Sequence, residues 1–333
     1  MIKVHCFVSC VCEVIKKAGI DHRPYYFGVW DADFTVDAND VLRYHSKQIN
    51  HQFFCDWYER LYGIELHKWY SESKTKEENI VVLEKLVMEK PSHRHVMVML
   101  DLSLLPEREN KFWQKSFPHY VMLERTEDPD MWMMFDPDFR FEGRLNKQRI
   151  LAAVAAPSVS GGYYFDASHI YAPTREVVDA YFRTCFKAQS QPLTEAVAHI
   201  VEVYTNGARK ETMGQLQEAL RQLPILAIRK YAYEHALAFF LEAGCLSEQL
   251  FAYWCDEIER LVKGFTTVQY RALKVAKMDT ADHRHALSEQ LTQQFECETN
   301  IKKALYECFL RWTETDGERE EKSNEHITLH DHV

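Results

Sequence analysis

The first helical stretch of the chain decides the fold, and it reads His5-Cys6-Phe7-Val8-Ser9-Cys10-Val11-Cys12-Glu13-Val14-Ile15. A helix is predicted over Val4–Ala18, with Gly19 as its stop, because Gly is common just after the last helical residue. Cys6 stands at the head of this helix. The unpaired N–H groups of a first helical turn favour a negatively charged sulfur. The sequence therefore places a candidate nucleophile where its thiolate would be stabilised.

Two later segments supply partners for that cysteine. They are Phe117-Pro118-His119-Tyr120-Val121-Met122-Leu123 and Met133-Met134-Phe135-Asp136-Pro137-Asp138. The turn-forming residues 126–130 between them predict two neighbouring antiparallel strands, which would bring His119 close to Asp136. His119 is then expected to act as general base and later as general acid, while Asp136 holds its imidazole in one tautomer.

Each of these three signals is weak by itself. A Cys on the apolar face of a helix is usually a core residue, and this is the expectation for Cys10, one turn after Cys6. A single His before a strand usually has a structural role, and Asp-Pro-Asp is an ordinary turn. The occurrence of all three in this order favours a Cys6–His119–Asp136 triad.

Length, composition and charge narrow the class of protein. The 333 residues are 46% hydrophobic, enough for a large core, and no apolar run approaches the ~20 residues that cross a bilayer. Nine cysteines without a compact framework, and no secretory signal, predict reduced thiols in a cytoplasmic protein. The net charge of −10 argues against nucleic acid and suits a cationic small molecule such as a polyamine. Neither Cys10-x-Cys12 nor His93-Arg94-His95 has the further ligands of a metal site.

The chain divides into a mixed half and a helical half. Val96–Leu100 and Gly161–Phe165 add predicted strands to the two described above, and Asp37–Leu61 is predicted as one or two helices. From Pro173 onward the apolar residues follow helical periodicity. The predicted segments are a catalytic domain over 1–170, a helical domain over 171–312 and a disordered tail over 313–333. The predicted fold class is α+β, with an antiparallel sheet followed by an all-helical domain.

The stretch Cys6-Phe7-Val8-Ser9-Cys10-Val11 resembles the helix start of the bacteriocin-processing cysteine peptidases and of their relative, the butirosin acyltransferase BtrH. The order of Asp101-Leu102-Ser103-Leu104-Leu105-Pro106, the His119 strand and Phe135-Asp136-Pro137 is similar to the BtrH layout. The chain as a whole resembles proteins of petrobactin biosynthesis, particularly in Met1-Ile2-Lys3-Val4-His5-Cys6 and His22-Arg23-Pro24-Tyr25-Tyr26-Phe27-Gly28. The resemblance implies a papain-like (BtrH-like) N-terminal domain.

The resemblance also implies an activity. BtrH-like proteins move an acyl group from a carrier-protein thioester to an amine. Here the implied reaction transfers 3,4-dihydroxybenzoyl from the phosphopantetheine arm of an aryl carrier protein to a primary amine of spermidine or of a spermidine–citrate conjugate. The product belongs to petrobactin, a siderophore. The donor is that carrier-bound arm, and no cofactor of the protein itself is expected.

Residues near the motifs are the candidates for substrate contacts. The related peptidases carry a Gln shortly before the Cys, which is absent here, so backbone N–H groups aided by His5 are expected to hold the oxyanion. Asp101, with Asp31 and Asp138 as further candidates, is expected to hold the remote charges of the polyamine. Tyr26 and Trp30, beside Tyr25 and Phe27, are expected to pack the aryl ring or a cation. Arg108, Lys111 and Lys115 are candidates to meet an acidic carrier.

Three alternatives stay open at this point. A cysteine peptidase or amidase would use the same triad with water as the acceptor. A non-catalytic scaffold of a carrier-protein assembly line would not need Cys6. A direct transfer would use His119 as base, with Cys6 only lining the tunnel of the carrier arm. The oligomeric state is also open, with a homodimer as one option.

Overall fold

The structure is a computed structural model that describes residues 4–44, 46, 49–108 and 116–328, with side chains as far as residue 314. Its strands are β1 (Thr35–Val36), β2 (Leu42–Arg43), β3 (His67–Lys68), β4 (Arg94–Asp101), β5 (Pro118–Arg125), β6 (Met131–Asp136), β7 (Phe141–Asn146) and β8 (Gly162–Asp166). Its α-helices are α1 (Cys6–Lys17), α2 (Gln52–Tyr62), α3 (Lys76–Glu89), α4 (Lys147–Ala155), α5 (Arg175–Cys185), α6 (Pro192–Thr205), α7 (Leu216–Ala219), α8 (Leu223–Ala227), α9 (Ala232–Glu242), α10 (Glu248–Lys277) and α11 (Ala281–Thr328).

The chain forms two compact units that do not follow a single cut in the sequence. The first unit comprises Met1–Tyr25 and Asn50–Val178, and the second comprises Tyr26–Ile49 and Asp179–Val333. The first unit holds an antiparallel sheet and the second is mainly helical, so the predicted α+β class is confirmed. Among the residues that the structure describes, no helix is both long and apolar enough to cross a membrane.

The first unit is built on a six-stranded sheet in the order β3-β8-β4-β5-β6-β7, with every neighbouring pair antiparallel. Side chains alternate between the two faces of a strand. On one face Val96, Val98 and Leu100 of β4 lie in the same buried cluster as Leu83 of α3 and Ile150 of α4. This core fixes β4 and β5, and therefore fixes the positions of the residues at their ends.

Helix α1 packs against β5. Its first residue is Cys6, two positions later than predicted, because His5 is the extended N-cap with φ −168° and ψ 111°. The Cys10 thiol, one turn further, donates to the carbonyl oxygen of Tyr120 at 3.6 Å and is fully buried, as predicted. The start of α1 is thereby held close to the strand that carries His119.

The segment before α2 differs from the prediction. The sequence predicts one or two helices over Asp37–Leu61, but in the described part of this stretch the helix is Gln52–Tyr62, and β1 and β2 form a short hairpin. The reason is local turn chemistry: the Asp37 carboxylate accepts the backbone N–H groups of Asn39 and Val41, and Asp40 has a φ of 56°. These interactions favour a tight turn over a helix. Strand β7 and helix α4 are also absent from the elements that the sequence predicts.

The second unit contains a buried cluster of charged side chains, the lysine–carboxylate cluster. It consists of Asp31, Lys230, Glu298 and Lys302. The Lys230 Nζ lies 2.8 Å from Asp31 Oδ1 and 2.6 Å from Glu298 Oε1, and the Lys302 Nζ lies 2.7 Å from Asp31 Oδ2. Each charge therefore has an opposite partner inside the helical unit.

The last helix, α11, runs to Thr328. It therefore includes most of the segment 313–333, for which the sequence predicts a disordered tail. The final residues 329–333 lie outside the described residues. Helical periodicity up to Trp312 was visible in the sequence, whereas the polar composition beyond it gave no apolar stripe from which to extend the helix.

Candidate active site

The three residues predicted as a triad come from three elements of the first unit. Cys6 is the first residue of α1, His119 is the second residue of β5, and Asp136 is the last residue of β6. The pairing of β5 with β6 places the start of one strand beside the end of the other. All three side chains are buried, with exposed fractions of 3%, 3% and 0%. The structure thus brings together residues that lie far apart in the sequence.

The imidazole of His119 lies between the other two side chains. Its Nε2 is 2.9 Å from Asp136 Oδ1, and the side chain of Cys6 is near enough to the ring to raise the pKa of His119. Because Nε2 is engaged by the carboxylate, Nδ1 is the ring nitrogen left for the sulfur. The order sulfur, imidazole, carboxylate is the arrangement in which a base is oriented by a third group.

The charges of this site favour a protonated imidazole. Burial lowers the pKa of His119, but the charges of Asp136 and Cys6 and their hydrogen bonds to the ring raise it to about 10. At neutral pH His119 is therefore an imidazolium facing the sulfur. A cation beside the sulfur and the free N–H groups at the start of α1 both stabilise a thiolate.

The other thiol on this side of the helix has a different environment. Burial raises the pKa of Cys10 well above its usual value, and the nearby charges of Cys6, Asp136 and Asp138 add to the rise. Its hydrogen-bond partner among the described residues is the carbonyl oxygen of Tyr120 rather than an imidazole. Cys6 and Cys10 are therefore chemically distinct, although they are one turn apart.

Asp136 is held by two further groups. Its Oδ1 accepts the backbone N–H of Phe139 at 3.2 Å, and its Oδ2 lies 3.1 Å from Nη2 of Arg108. The interpretation of Arg108 as a contact for the carrier was wrong, because its side chain is only 9% exposed and points to Asp136. Lys111 and Lys115, the other two candidates, lie outside the described residues. A single Arg in a loop carries no periodicity that would have shown this contact.

Asp138 connects the start of α1 with the turn after β6. Its Oδ1 accepts a hydrogen bond from Ser9 Oγ at 2.7 Å, and its carboxylate also accepts the backbone N–H of Val4. Burial raises the pKa of Asp138, and this outweighs the opposing effects of the His119 charge and of these hydrogen bonds. The contacts fix the helix that carries Cys6 to the turn that follows Asp136.

Asp101, a predicted holder of substrate charge, is engaged by the protein itself. Its carboxylate accepts the backbone N–H groups of Ser103 and Phe117 and the hydroxyl groups of Ser103, Ser116 and Ser158. Burial alone would raise the pKa of Asp101, but these donors lower it to about 2. The carboxylate stays charged. It binds Ser103 just after β4 and Phe117 just before β5, and so holds the ends of the two strands together.

The remaining predicted substrate contacts lie in different places. His5 is the N-cap of α1, directly before Cys6, and its ring lies 5.3 Å from that of Phe54. Tyr26 and Trp30 belong to the second unit, where the first stacks on His235 at 3.9 Å and the second on Tyr233 at 5.0 Å. Their rings are buried among protein side chains, and their expected packing on an aryl ring or a cation stays a prediction.

A metal site is not evident in the part of the chain that the structure describes. There, no three His, Cys, Asp or Glu side chains converge as metal ligands do. His93 and His95, the pair singled out in the sequence, diverge in their partners. His93 lies 4.0 Å from Asp166, whereas the ring of His95 stacks on Phe165 at 5.3 Å.

Comparison with known proteins covers nearly the whole chain. The family model described as the DUF6005 N-terminal domain matches residues 1–170, and that of the DUF6005 C-terminal domain matches residues 176–326. A curated relative, the petrobactin synthase of Bacillus anthracis, is 45% identical over 329 residues, which are 98% of this chain and 99% of the relative. The resemblance to proteins of petrobactin biosynthesis is thereby confirmed. The chain belongs to the DUF6005 family.

Proposed function

We propose that this protein is an acyltransferase of petrobactin biosynthesis that transfers 3,4-dihydroxybenzoyl from an aryl carrier protein to a primary amine of spermidine or of a spermidine–citrate conjugate. The observation that supports it is the buried contact of Cys6, His119 and Asp136 in a chain that is 45% identical to a petrobactin synthase. The donor is the thioester on the phosphopantetheine arm of the carrier. A thioester is already activated, so the transfer needs no cofactor of the enzyme.

The first half of the reaction forms an aryl-enzyme. The Cys6 thiolate attacks the carbonyl carbon of the thioester, and the N–H groups at the start of α1 stabilise the oxyanion that develops. The intermediate then collapses with cleavage of the bond to the pantetheine sulfur. His119, present as an imidazolium, gives its proton to that leaving sulfur. One carbon–sulfur bond has formed, one has broken, and His119 is left neutral.

The second half releases the amide. Neutral His119 accepts a proton from the amine nitrogen as this nitrogen attacks the aryl-enzyme carbonyl carbon. The carbon–nitrogen bond forms, the bond to Cys6 breaks, and the sulfur leaves as a thiolate beside a restored imidazolium. The attacking amine must arrive without its proton, although spermidine is largely protonated at neutral pH. Asp136 keeps the same nitrogen of His119 engaged through both halves.

Hydrolysis is the main competing reaction for the same residues. A peptidase or amidase would form the same kind of acyl-enzyme and transfer it to water. The relative is a synthase by name, which favours formation of a bond over hydrolysis. Measuring the free acid and the amide side by side separates the two activities.

The test is intact-protein mass spectrometry of the enzyme mixed with 3,4-dihydroxybenzoyl-loaded carrier protein, with and without spermidine. We expect an aryl adduct that maps to Cys6, is absent from Cys6→Ala and is discharged to an amide when spermidine is added. The matched control is Cys255→Ala, which removes a half-exposed thiol of the second unit and should leave both adduct and amide unchanged.

Three results would contradict the proposal. Free 3,4-dihydroxybenzoate released in place of the amide would identify a hydrolase. Amide formation by Cys6→Ala at the wild-type rate would show direct transfer with His119 as base. Neither adduct nor product with a loaded carrier would favour the scaffold.

A further inference from the structure

The guanidinium of Arg108 is built into the interior of the first unit. It lies 3.1 Å from the outer carboxylate oxygen of Asp136 and has its planar group 4.5 Å from the ring centroid of Phe141 and 5.3 Å from that of Phe139. Phe139 lies in the turn after β6 and Phe141 is the first residue of β7, and contacts of this kind hold a cation in a fixed place. A surface arginine would not have these neighbours.

The carboxylate of Asp136 contacts two cationic side chains. One oxygen faces His119, and the other, which is buried and has no aligned hydrogen bond, faces Arg108. The neighbouring acid, Glu107, is paired instead with Arg149 at 2.9 Å. Among the described residues, Asp136 is thus the acidic partner of the Arg108 guanidinium.

The charged groups that face His119 come from each element around it. They are Cys6 at the start of α1, Asp136 at the end of β6, and Asp138 in the turn that follows β6. Three acidic groups therefore surround one imidazole. Without a further cation, they would hold the proton on the ring during the step in which the ring must be neutral.

We propose that Arg108 is a positioning residue that neutralises and orients Asp136, so that His119 can alternate between imidazolium and imidazole during acyl transfer. This inference rests on the proposed function, because only a reaction with two proton transfers needs both forms of His119. Arg108 itself touches neither substrate nor sulfur. It acts through Asp136.

The test is the pH dependence of Cys6 alkylation by iodoacetamide, followed by peptide mass spectrometry so that each cysteine is measured separately. Loss of a positive charge raises the pKa of every acid nearby, so Arg108→Gln should move the profile to higher pH by about one unit. Arg108→Lys keeps the charge and should leave the profile within a few tenths of a unit of the wild type. The assay uses neither acyl donor nor amine, so its result does not depend on whether the proposed substrates are correct.

A second readout separates the inference from a role in docking. With a short, carrier-free thioester of 3,4-dihydroxybenzoate, Arg108→Gln should lower kcat about tenfold, the change that corresponds to one pH unit. An unchanged alkylation profile with a raised KM for the carrier protein would overturn the inference in favour of docking. If Arg108→Gln lowers the fraction of protein whose Cys6 is alkylated but leaves the pH profile of alkylation unchanged, the role of Arg108 is merely structural and the inference is overturned. Arg108→Met, which keeps the packing against the two rings, is the substitute if Arg108→Gln does not fold.

Discussion

Asp136→Asn removes the charge of the third member of the proposed triad and keeps the size of its side chain. In the wild type the Nε2 of His119 lies 2.9 Å from Asp136 Oδ1, and Asn offers an acceptor oxygen in the same place. The substitution removes the negative charge that helps to raise the pKa of His119 to about 10. An opposite charge at this distance typically contributes about 1–3 units. The pKa of His119 should therefore fall by that amount, toward its usual 6.5. The direction is opposite to that expected for Arg108→Gln.

The same change should alter stability in a pH-dependent way. The pKa of His119 is higher in the folded protein than in the unfolded chain, so its protonation stabilises the fold fully below about pH 6.5 and this stabilisation is lost as pH rises toward 10. A shift of 1–3 units corresponds to about 1.4–4 kcal/mol. Asp136→Asn should therefore lower the free energy of unfolding by about this amount at pH 6. The part that is due to His119 should vanish near pH 10.

The assay is an NMR titration of the labelled His119 imidazole, combined with urea unfolding at both pH values. The matched control is Asp166→Asn, which removes a half-exposed carboxylate 4.0 Å from His93 on the same sheet and should leave His119 unchanged. A pKa of His119 that stays near 10, or that rises, in Asp136→Asn would refute the reasoning. So would a loss of stability that is equal at pH 6 and pH 10.

Three further predictions concern the packing around the site and the second unit. Ser9→Ala removes the hydroxyl donor to the Asp138 carboxylate at 2.7 Å, so urea unfolding should show a loss of about 1.5–3 kcal/mol. Iodoacetamide should also alkylate the Cys6 thiol more slowly at neutral pH. Lys302→Met leaves a buried carboxylate of the lysine–carboxylate cluster without one partner and should cost about 3–5 kcal/mol by urea unfolding. The control Lys263→Met, in an exposed ion pair, should leave the unfolding midpoint almost unchanged. Thr75→Ala removes the capping box of α3 and should cost about 1 kcal/mol, and an unchanged unfolding midpoint would contradict the role of that cap.

The contact of His119 with Asp136 could be expected from the sequence for a local reason. Two apolar strands joined by a turn-rich segment have one dominant pairing, and this pairing brings the start of β5 beside the end of β6. Helix α1 could be expected, with its start two residues too early, from its apolar pattern and from the Gly that follows it. In these cases short-range signals carry the information.

The parts that were missed depend on contacts without a local pattern. Arg108 lies in an irregular connection, and its ion pair with Asp136 spans 28 positions of the chain. The aromatic residues Tyr26 and Trp30 are the second example, expected from the sequence to pack an aryl ring or a cation. Their apolar character predicts burial, which is observed, but it does not identify the unit whose core they complete. Such assignments are made by tertiary packing.

The path of the chain between the two units has a consequence for synthesis on the ribosome. The segment Tyr26–Ile49 is made early but packs with Asp179–Val333, which is made last. Its rings, including Tyr26, Phe27 and Trp30, must therefore stay without their final neighbours while more than a hundred residues of the first unit are added. A fragment that ends at residue 170 would contain this segment without the helices against which it packs. We therefore expect the growing chain to need chaperones during translation, and we expect such a fragment to be poorly soluble.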